Sequence, residues 1–250
     1  MIGRLAARLN RRALVRDTTL LGAGAVLGKA ALLRSAAQES PALGSTINAA
    51  ITLEAFAVTF YGVARGQSGI GLDDAVSRFA RAAQCEEEAH FHFFEAAGAV
   101  PSTTSFTIPD NQLRNQSNFL TALEEVETVL VGFYMAAARQ FASNLDLRLV
   151  EIGYQIGAVE AQHLALTRLF LDERLPSDRA FARWMFREPA EAVTAFEELG
   201  YVGGDGESYA YPGPVDRQCR GVTGLVPEAT EDQPADELPP VASPEAEARA

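Results

Sequence analysis

A repeat with an offset of 73 residues runs through the chain and constrains its fold more than any other feature. In each copy a glutamate precedes a tyrosine by seven residues, and a second glutamate, 33 residues after the first, precedes a histidine by three. The matching pairs are Glu54 and Glu127, Tyr61 and Tyr134, Glu87 and Glu160, and His90 and His163. Internal repetition of this kind indicates an architecture built from two equivalent units.

Each copy of the repeat spans two long segments with the apolar periodicity of a helix. We predict helices at about residues 45–65, 72–97, 117–142 and 145–173. Only a few residues separate the two helices of each copy, so each pair should form an antiparallel hairpin. About twenty residues, including Pro101 and Pro109, join the hairpins. This linker is long enough to cross the whole bundle and place the third helix parallel to the second.

The spacing puts the acidic residues of the repeat at one level of the predicted bundle. Glu127 lies about 15 residues before the end of its helix, and Glu160 lies about 15 residues after the start of the next helix. At the rise of a helix, each of these distances is ~22 Å, so the two glutamates lie at the same height. A glutamate and a histidine at positions i and i+3 project from one helix face. Buried carboxylates are costly unless compensated, and no arginine falls on these faces near them. Two divalent cations would balance four carboxylates, with neutral imidazoles completing the shell.

The sequence therefore predicts a site for two divalent metal ions. Its expected ligands are Glu54, Glu87, His90, Glu127, Glu160 and His163. From the repeat, we expect Glu87 and Glu160 to bridge the metals, while Glu54 and Glu127 each hold one. Iron is the first expectation for mixed carboxylate and imidazole ligands, and manganese the second. The alternative is a metal-free bundle in which the glutamate–histidine pairs are structural polar contacts.

The stretch "EEEAHFHFF" contains three consecutive glutamates, of which only Glu87 has both a repeat partner and a histidine at i+3. We predict that Glu87 points inward, while Glu86 and Glu88 are rotated away by ~100°. Glu88 and His92 form their own i, i+4 pair, which we expect on a solvated or loop-facing surface.

The stretches "LEAFAVTFY", "EEEAH", "ALEEVETVLVGFY" and "VEAQH" resemble the ferritin-like family of di-iron and di-manganese proteins, especially its exported bacterial and desiccation-related members. The resemblance covers about residues 40–200. It implies an all-α fold, a ferritin-like four-helix bundle made of two antiparallel helical hairpins with a long crossover, plus short C-terminal helices. It also implies metal oxidation by O2 or peroxide, or peroxide disproportionation, without choosing among them.

Whether the protein is an enzyme stays open at this point. One hypothesis is a redox-active di-metal protein, ferroxidase- or catalase-like, whose small partners are metal ions and O2 or peroxide. The other is a non-enzymatic stress or desiccation-related envelope protein with a structural or vestigial metal site. No catalytic residue is assigned. Tyr61 and Tyr134 are candidates for bonding a ligand carboxylate or relaying an electron, although core aromatics with satisfied hydroxyls are commoner.

The first 37 residues differ from the rest of the chain. Arg11 and Arg12 are followed by the apolar run "TTLLGAGAVLG" and then by "RSAAQ". This order of basic region, short apolar region and small-residue cleavage site resembles a twin-arginine export signal. We therefore expect export to the periplasm, cell envelope or extracellular space. The alternative is an amphipathic helix that stays on a cytoplasmic protein.

The C-terminal region is expected to add little to the core. The bundle and its short amphipathic pieces, "FARWMFRE" and "PAEAVTAFEELGYV", occupy residues 38–200, with Trp184, Phe186 and Phe196 packing on the helices. Residues 201–225 are expected to be a loop-rich extension. Residues 226–250, acidic and proline-rich, are expected to be disordered.

Composition excludes several classes of protein. A net charge of -12 and a pI near 4.8 argue against nucleic-acid binding. No uninterrupted apolar run reaches ~18 residues, so no transmembrane span is expected in the mature chain. Two cysteines exclude a disulfide scaffold; a Cys85–Cys219 bridge is open for an exported protein, but cysteines this far apart are more often free. The tail and C-terminal extension would crowd a ferritin cage, which leaves a homodimer open.

Overall fold

The structure is a computed structural model, and it describes residues 40–171, 175–214, 219–225 and 227. The predicted export segment and, except for Pro227, the predicted tail lie outside the described residues. Four long helices make up most of the described chain: α1 (Pro41–Gly66), α2 (Asp74–Ala96), α3 (Gln116–Ser143) and α4 (Leu147–Phe170). Their existence and order confirm the predicted helices.

Side chains at the helix starts explain where three of these helices begin. Asp73 accepts hydrogen bonds from the backbone N–H groups of the first turn of α2. Asn115 does the same for α3, and Asp146 for α4. Each cap satisfies N–H donors that have no partner within the helix, and the negative charge of an aspartate also suits the helix dipole.

The two hairpins are joined by a crossover that runs the length of the bundle. At its start, the N–H of Val100 donates to Asn48 Oδ1 near the beginning of α1, over 2.8 Å. At its end, the N–H of Asp73 donates to Gln116 Oε1 over 2.7 Å, which places the start of α3 beside the start of α2. Helices α2 and α3 are therefore parallel, an arrangement that the length of the linker allows.

A two-stranded sheet lies outside the bundle. Strand β1 (Ser105–Ile108) belongs to the crossover and pairs antiparallel with β2 (Glu207–Ala210). The loop-rich extension predicted for residues 201–225 therefore contains a strand that the sequence did not indicate. The signal for β2 is weak in the sequence because its pairing partner is about 100 residues away and its side chains are mostly exposed.

The C-terminal pieces were predicted correctly only in part. Helix α5 (Pro189–Glu198) forms, and Phe186 and Phe196 are buried. Residues 181–188 form no helix, however, and Trp184 is half exposed rather than packed. The ring of Phe56 on α1 lies 4.4 Å from the rings of both Phe196 and Tyr201, measured between centroids, so the C-terminal region extends the core.

Cys85 of α2 and Cys219 of the C-terminal extension form a disulfide, with their Cα atoms 5.4 Å apart. The sequence had left both a bridge and free cysteines open, and the bridge forms even though free cysteines are commoner at this separation, because a large separation in sequence says little about separation in space. The extension returns to α2, where the Arg81 side chain also donates a hydrogen bond to the Arg220 carbonyl over 2.9 Å.

Helix α1 is, among the described residues, long and apolar enough to cross a membrane by length and composition alone. However, 89% of its apolar window is buried inside the bundle. Its apolar character is therefore accounted for by packing within the bundle.

Candidate metal centre

The structure brings together all six residues that the repeat singled out. One comes from each of α1 and α3, and a glutamate–histidine pair from each of α2 and α4. The six are Glu54, Glu87, His90, Glu127, Glu160 and His163. All four carboxylates are fully buried, and the side chain of His90 is 13% exposed.

Two overlapping groups of potential ligand atoms form within this cluster. The first contains Glu54, Glu87, His90 and Glu160, and the second contains Glu87, Glu127, Glu160 and His163. In each group the ligand atoms all lie within 4.8 Å of one another. Glu87 and Glu160 belong to both groups, which is the arrangement that two bridging carboxylates would need.

Each imidazole turns its Nδ1 atom toward three carboxylates. His90 Nδ1 lies 3.4 Å from Glu54 Oε2, 3.2 Å from Glu87 Oε2 and 3.2 Å from Glu160 Oε1. His163 Nδ1 lies 2.9 Å from Glu87 Oε1, 3.5 Å from Glu160 Oε2 and 3.9 Å from Glu127 Oε2. Within the described part of the chain, the ion pairs of these four carboxylates involve only the two histidines.

Several polar atoms of the cluster have no hydrogen-bond partner among the described residues. They are Glu54 Oε2, Glu87 Oε1, Glu127 Oε2, both carboxylate oxygens of Glu160, and His163 Nδ1. Some lie within ion-pair distance of one another, but without hydrogen-bond geometry. Buried polar atoms without partners are costly. Carboxylate oxygens and imidazole nitrogens are ligands for iron, manganese and zinc, so this donor set fits divalent cations.

Two buried tyrosines connect the hairpins through the cluster. The Tyr61 hydroxyl donates to Glu127 Oε1 over 2.6 Å, and the Tyr134 hydroxyl donates to Glu54 Oε1. Burial, followed by the charge of the bonded glutamate, raises the pKa of each tyrosine well above its ordinary value. Both hydroxyls therefore stay protonated and can donate to a carboxylate.

Burial also changes the protonation of the cluster itself. It raises the pKa of Glu54 to about 7 and that of Glu127 well above its ordinary value. Burial by itself lowers the pKa of both imidazoles. The neighbouring carboxylates, Glu54 at His90 and Glu87 at His163 foremost, outweigh burial, so the pKa of each histidine lies well above its ordinary value. Without a metal, the cluster therefore retains protons at neutral pH, and a bound cation would have to displace them.

Glu86 is the residue at this site that sequence reasoning missed. It was expected to point away, but its Oε2 accepts a hydrogen bond from His163 Nε2 over 2.7 Å. This hydrogen bond, opposed by partial burial, lowers the pKa of Glu86. Because the repeat has a valine, Val159, at the equivalent position, the offset that revealed the other residues gives no indication of this one.

The neighbouring acidic residues lie outside the cluster. Glu88 pairs with His92 as predicted, over 3.0 Å, but it is buried and also accepts a hydrogen bond from Tyr211 of the C-terminal extension. The contact between Glu88 and His92 thus faces the C-terminal extension, which is the loop-facing alternative of the prediction. Glu124, one turn before Glu127, forms an ion pair with Arg168 over 2.8 Å.

A cavity of about 520 Å³ lies between α2 and α4 and reaches the cluster; we call it the side cavity. Its lining includes Glu86, His90, Val159, His163 and Leu225. Both histidines can therefore be reached from this one side of the bundle. Residues 223–225 and 227, just after the disulfide-bonded Cys219, form part of its wall.

A four-helix bundle with a long crossover and a buried carboxylate–imidazole cluster is characteristic of one class of helical proteins. The ferritin-like domain family matches residues 44–173, just over half of the chain. The protein belongs to this ferritin-like family. No curated protein and no solved structure gives a significant match.

Proposed function

We propose that the protein binds two divalent metal ions, with iron the first expectation and manganese the second, and that it is redox-active toward O2 or peroxide or in iron oxidation. The observation that carries this proposal is the pair of overlapping ligand groups that share Glu87 and Glu160. Two cations would neutralise the four buried carboxylates, several of whose oxygens otherwise lack a hydrogen-bond partner among the described residues.

In this proposal the chain's own residues have separate roles. Glu54 and His90 hold one cation, Glu127 and His163 hold the other, and Glu87 and Glu160 bridge them. Redox-active metals bound here would supply the electrons that O2 or peroxide accepts. Tyr61 and Tyr134 each fix one oxygen of a ligand carboxylate, which leaves the other oxygen directed at the cation.

Aromatic side chains keep part of this centre dry. The rings of Tyr61 and Phe79 lie 6.1 Å and 6.0 Å from the imidazole of His163, measured between centroids. Phe79 also lines the side cavity, which borders both imidazoles and provides a path for metal ions, O2 or peroxide. A reaction with small dissolved molecules requires both this partial shielding and a path of access.

The experiment that tests the proposal compares metal content and turnover in three proteins. Wild type is measured beside Glu87→Ala/Glu160→Ala and beside a control, Glu95→Ala/Glu151→Ala, which removes exposed acids from the same two helices. After reconstitution with Fe²⁺ or Mn²⁺ and removal of excess metal, elemental analysis should find about two ions per chain in wild type and control. The site variant should hold none.

Loaded wild type and control are then assayed for Fe²⁺ oxidation by O2 or peroxide and for peroxide consumption. Wild type without metal after reconstitution would refute the metal proposal. Two bound ions without turnover in any of these assays would instead favour the non-enzymatic stress or desiccation-related role, with the metals acting structurally.

We also propose that the protein is exported. The disulfide between Cys85 and Cys219 supports this, because disulfides persist mainly in oxidising compartments. The twin-arginine pattern at residues 11 and 12 supports the same conclusion. Replacing both arginines with lysine should keep the full-length precursor inside the producing cell, while unchanged export would contradict the proposal.

A further inference from the structure

The repeat makes the two halves of the candidate metal centre nearly equivalent. Each half offers an imidazole, one glutamate of its own and the two shared glutamates, Glu87 and Glu160. In each half, the unshared glutamate accepts a hydrogen bond from the tyrosine of the other hairpin. A difference between the halves must therefore come from residues outside the repeat pattern.

Glu86 creates such a difference. It lies on α2 immediately before Glu87, and it accepts a hydrogen bond from His163 Nε2 over 2.7 Å. The residue in the equivalent position for His90 is Val159, which has no polar atom to offer. In the part of the chain that the structure describes, no hydrogen bond reaches His90 Nε2, although the rings of both histidines line the side cavity.

The hydrogen bond from Nε2 has a direct effect on the other nitrogen of His163. It holds a proton on Nε2, so that Nδ1 is the nitrogen that faces Glu87, Glu127 and Glu160. Once a cation displaces the proton of Nδ1, the lone pair of this nitrogen is available to the cation. The negative charge of Glu86 also increases the basicity of the ring. Changes to groups of this kind, which orient a metal ligand from outside, typically alter metal affinity by about 10–100-fold.

We propose that the two metal positions are unequal, and that the position at His163 binds a divalent cation more tightly than the position at His90 because Glu86 supports only His163. This inference rests on the proposed two-metal function. The cation at His90 is therefore the one that exchanges more readily, through the side cavity that borders both histidines.

The test is an anaerobic titration of the metal-free full chain with Mn²⁺, in which free Mn²⁺ is followed by electron paramagnetic resonance. Repulsion between the two cations would make the second ion bind more weakly even at two identical positions. The wild-type curve therefore cannot show that the positions differ, and the variants provide the test. Glu86→Gln should weaken the tighter step by about 10–100-fold. Val159→Glu, which supplies the missing carboxylate at the cavity wall, should tighten the weaker step by a similar factor.

Single-histidine variants assign each step to its half. His90→Ala should retain the tighter step and His163→Ala the weaker one. Glu95→Gln removes an acid of α2 that contacts His92, and serves as the matched control that should titrate like wild type. Helical circular dichroism and the melting temperature identify any variant that does not fold, and if Glu86→Gln fails to fold, Val159→Glu decides alone.

Each outcome is informative. Two bound ions with both affinities the same in Glu86→Gln, Val159→Glu and the control would overturn the inequality and leave the proposed function intact. Tighter binding at His90 than at His163 would overturn it too. Failure of wild type to bind Mn²⁺ at all would refute the two-metal function together with the inequality.

Discussion

Tyr61 in the first hairpin donates a hydrogen bond to Glu127 in the second, over 2.6 Å. The repeat reproduces this contact in the opposite direction, from Tyr134 to Glu54. The two contacts therefore cross between the hairpins and hold one carboxylate of the cluster in each half in place. They connect the way the hairpins pack to the geometry of the candidate metal centre.

Replacing Tyr61 with phenylalanine tests the first of these contacts. We expect Tyr61→Phe to fold, since phenylalanine fills most of the same space, but to lose about 1–3 kcal/mol of stability because a buried oxygen of Glu127 loses its partner. Affinity for Mn²⁺ should fall by about 10-fold or more. Chemical denaturation and metal titration measure these effects. Tyr154→Phe, at an exposed position on α4, is the control; equal affinity in both variants would contradict a positioning role.

The pKa values of the cluster predict how the metal-free protein responds to pH. The folded state keeps a proton on Glu54 up to about pH 7, while the unfolded chain releases it near pH 4.5. The stability that the protonated Glu54 contributes to the folded state is therefore lost as the pH rises from about 4.5 to about 7. The raised pKa values of His90 and His163 add stability that is lost above about pH 6.5, in the same direction.

We therefore expect the metal-free protein to have a lower melting temperature at pH 8 than at pH 6. Glu54→Gln, which cannot titrate, should reduce the slope. Mn²⁺ should raise the melting temperature most at pH 8, where protons compete least for the ligands. A melting temperature of metal-free wild type that increases from pH 6 to pH 8 would show that the cluster does not retain these protons.

The helices and the juxtaposition of the six cluster residues followed from the sequence, because both depend on regular spacing. A helix rises by a fixed amount per residue, so equal distances from a turn place Glu127 and Glu160 at the same height. Asp73 and Asp146, which cap α2 and α4, lie at the starts of two of the predicted helices, where a capping carboxylate is favoured.

Contacts between distant segments could not be predicted in this way. Glu86 on α2 accepts a hydrogen bond from His163 on α4, and Cys85 is bonded to Cys219, from which it is separated by 134 residues in sequence. Neither pair has a spacing that follows from helical geometry. Strand β2 was missed for a similar reason, since its hydrogen bonds go to the crossover, which carries no repeat pattern.

Gly132 on α3 lies where the segment after α4 crosses the bundle. A Cβ atom at this position would lie 2.9 Å from Phe186 Cε2 and 3.3 Å from Met185 Cβ. Gly132→Ala should therefore lower the free energy of unfolding by about 1–3 kcal/mol, because the neighbours must shift. Denaturant unfolding measures this. Gly69→Ala, where a Cβ atom meets nothing within 4 Å, should change it by less than about 0.5 kcal/mol; equal effects would mean that residues 185 and 186 do not pack here.

The disulfide between Cys85 and Cys219 should both stabilise the protein and keep the C-terminal extension against the side cavity. It closes a loop with a sequence separation of 134 residues, so its loss frees a large part of the unfolded chain. We expect Cys85→Ser/Cys219→Ser to lose about 2–5 kcal/mol, or roughly 5–15 °C in melting temperature. Released residues 219–225 should also be cleaved faster by trypsin after Arg220, which mass spectrometry of the fragments detects.

Cys219→Ser alone provides the control for this prediction. If the bridge forms, the single variant should match the double variant in melting temperature and in the rate of cleavage after Arg220, because either substitution removes the same cross-link. Wild type purified from an oxidising compartment and denatured without reductant should show no free thiol. Two free thiols, or a single variant as stable as wild type, would mean that the extension is held to α2 without a covalent bond.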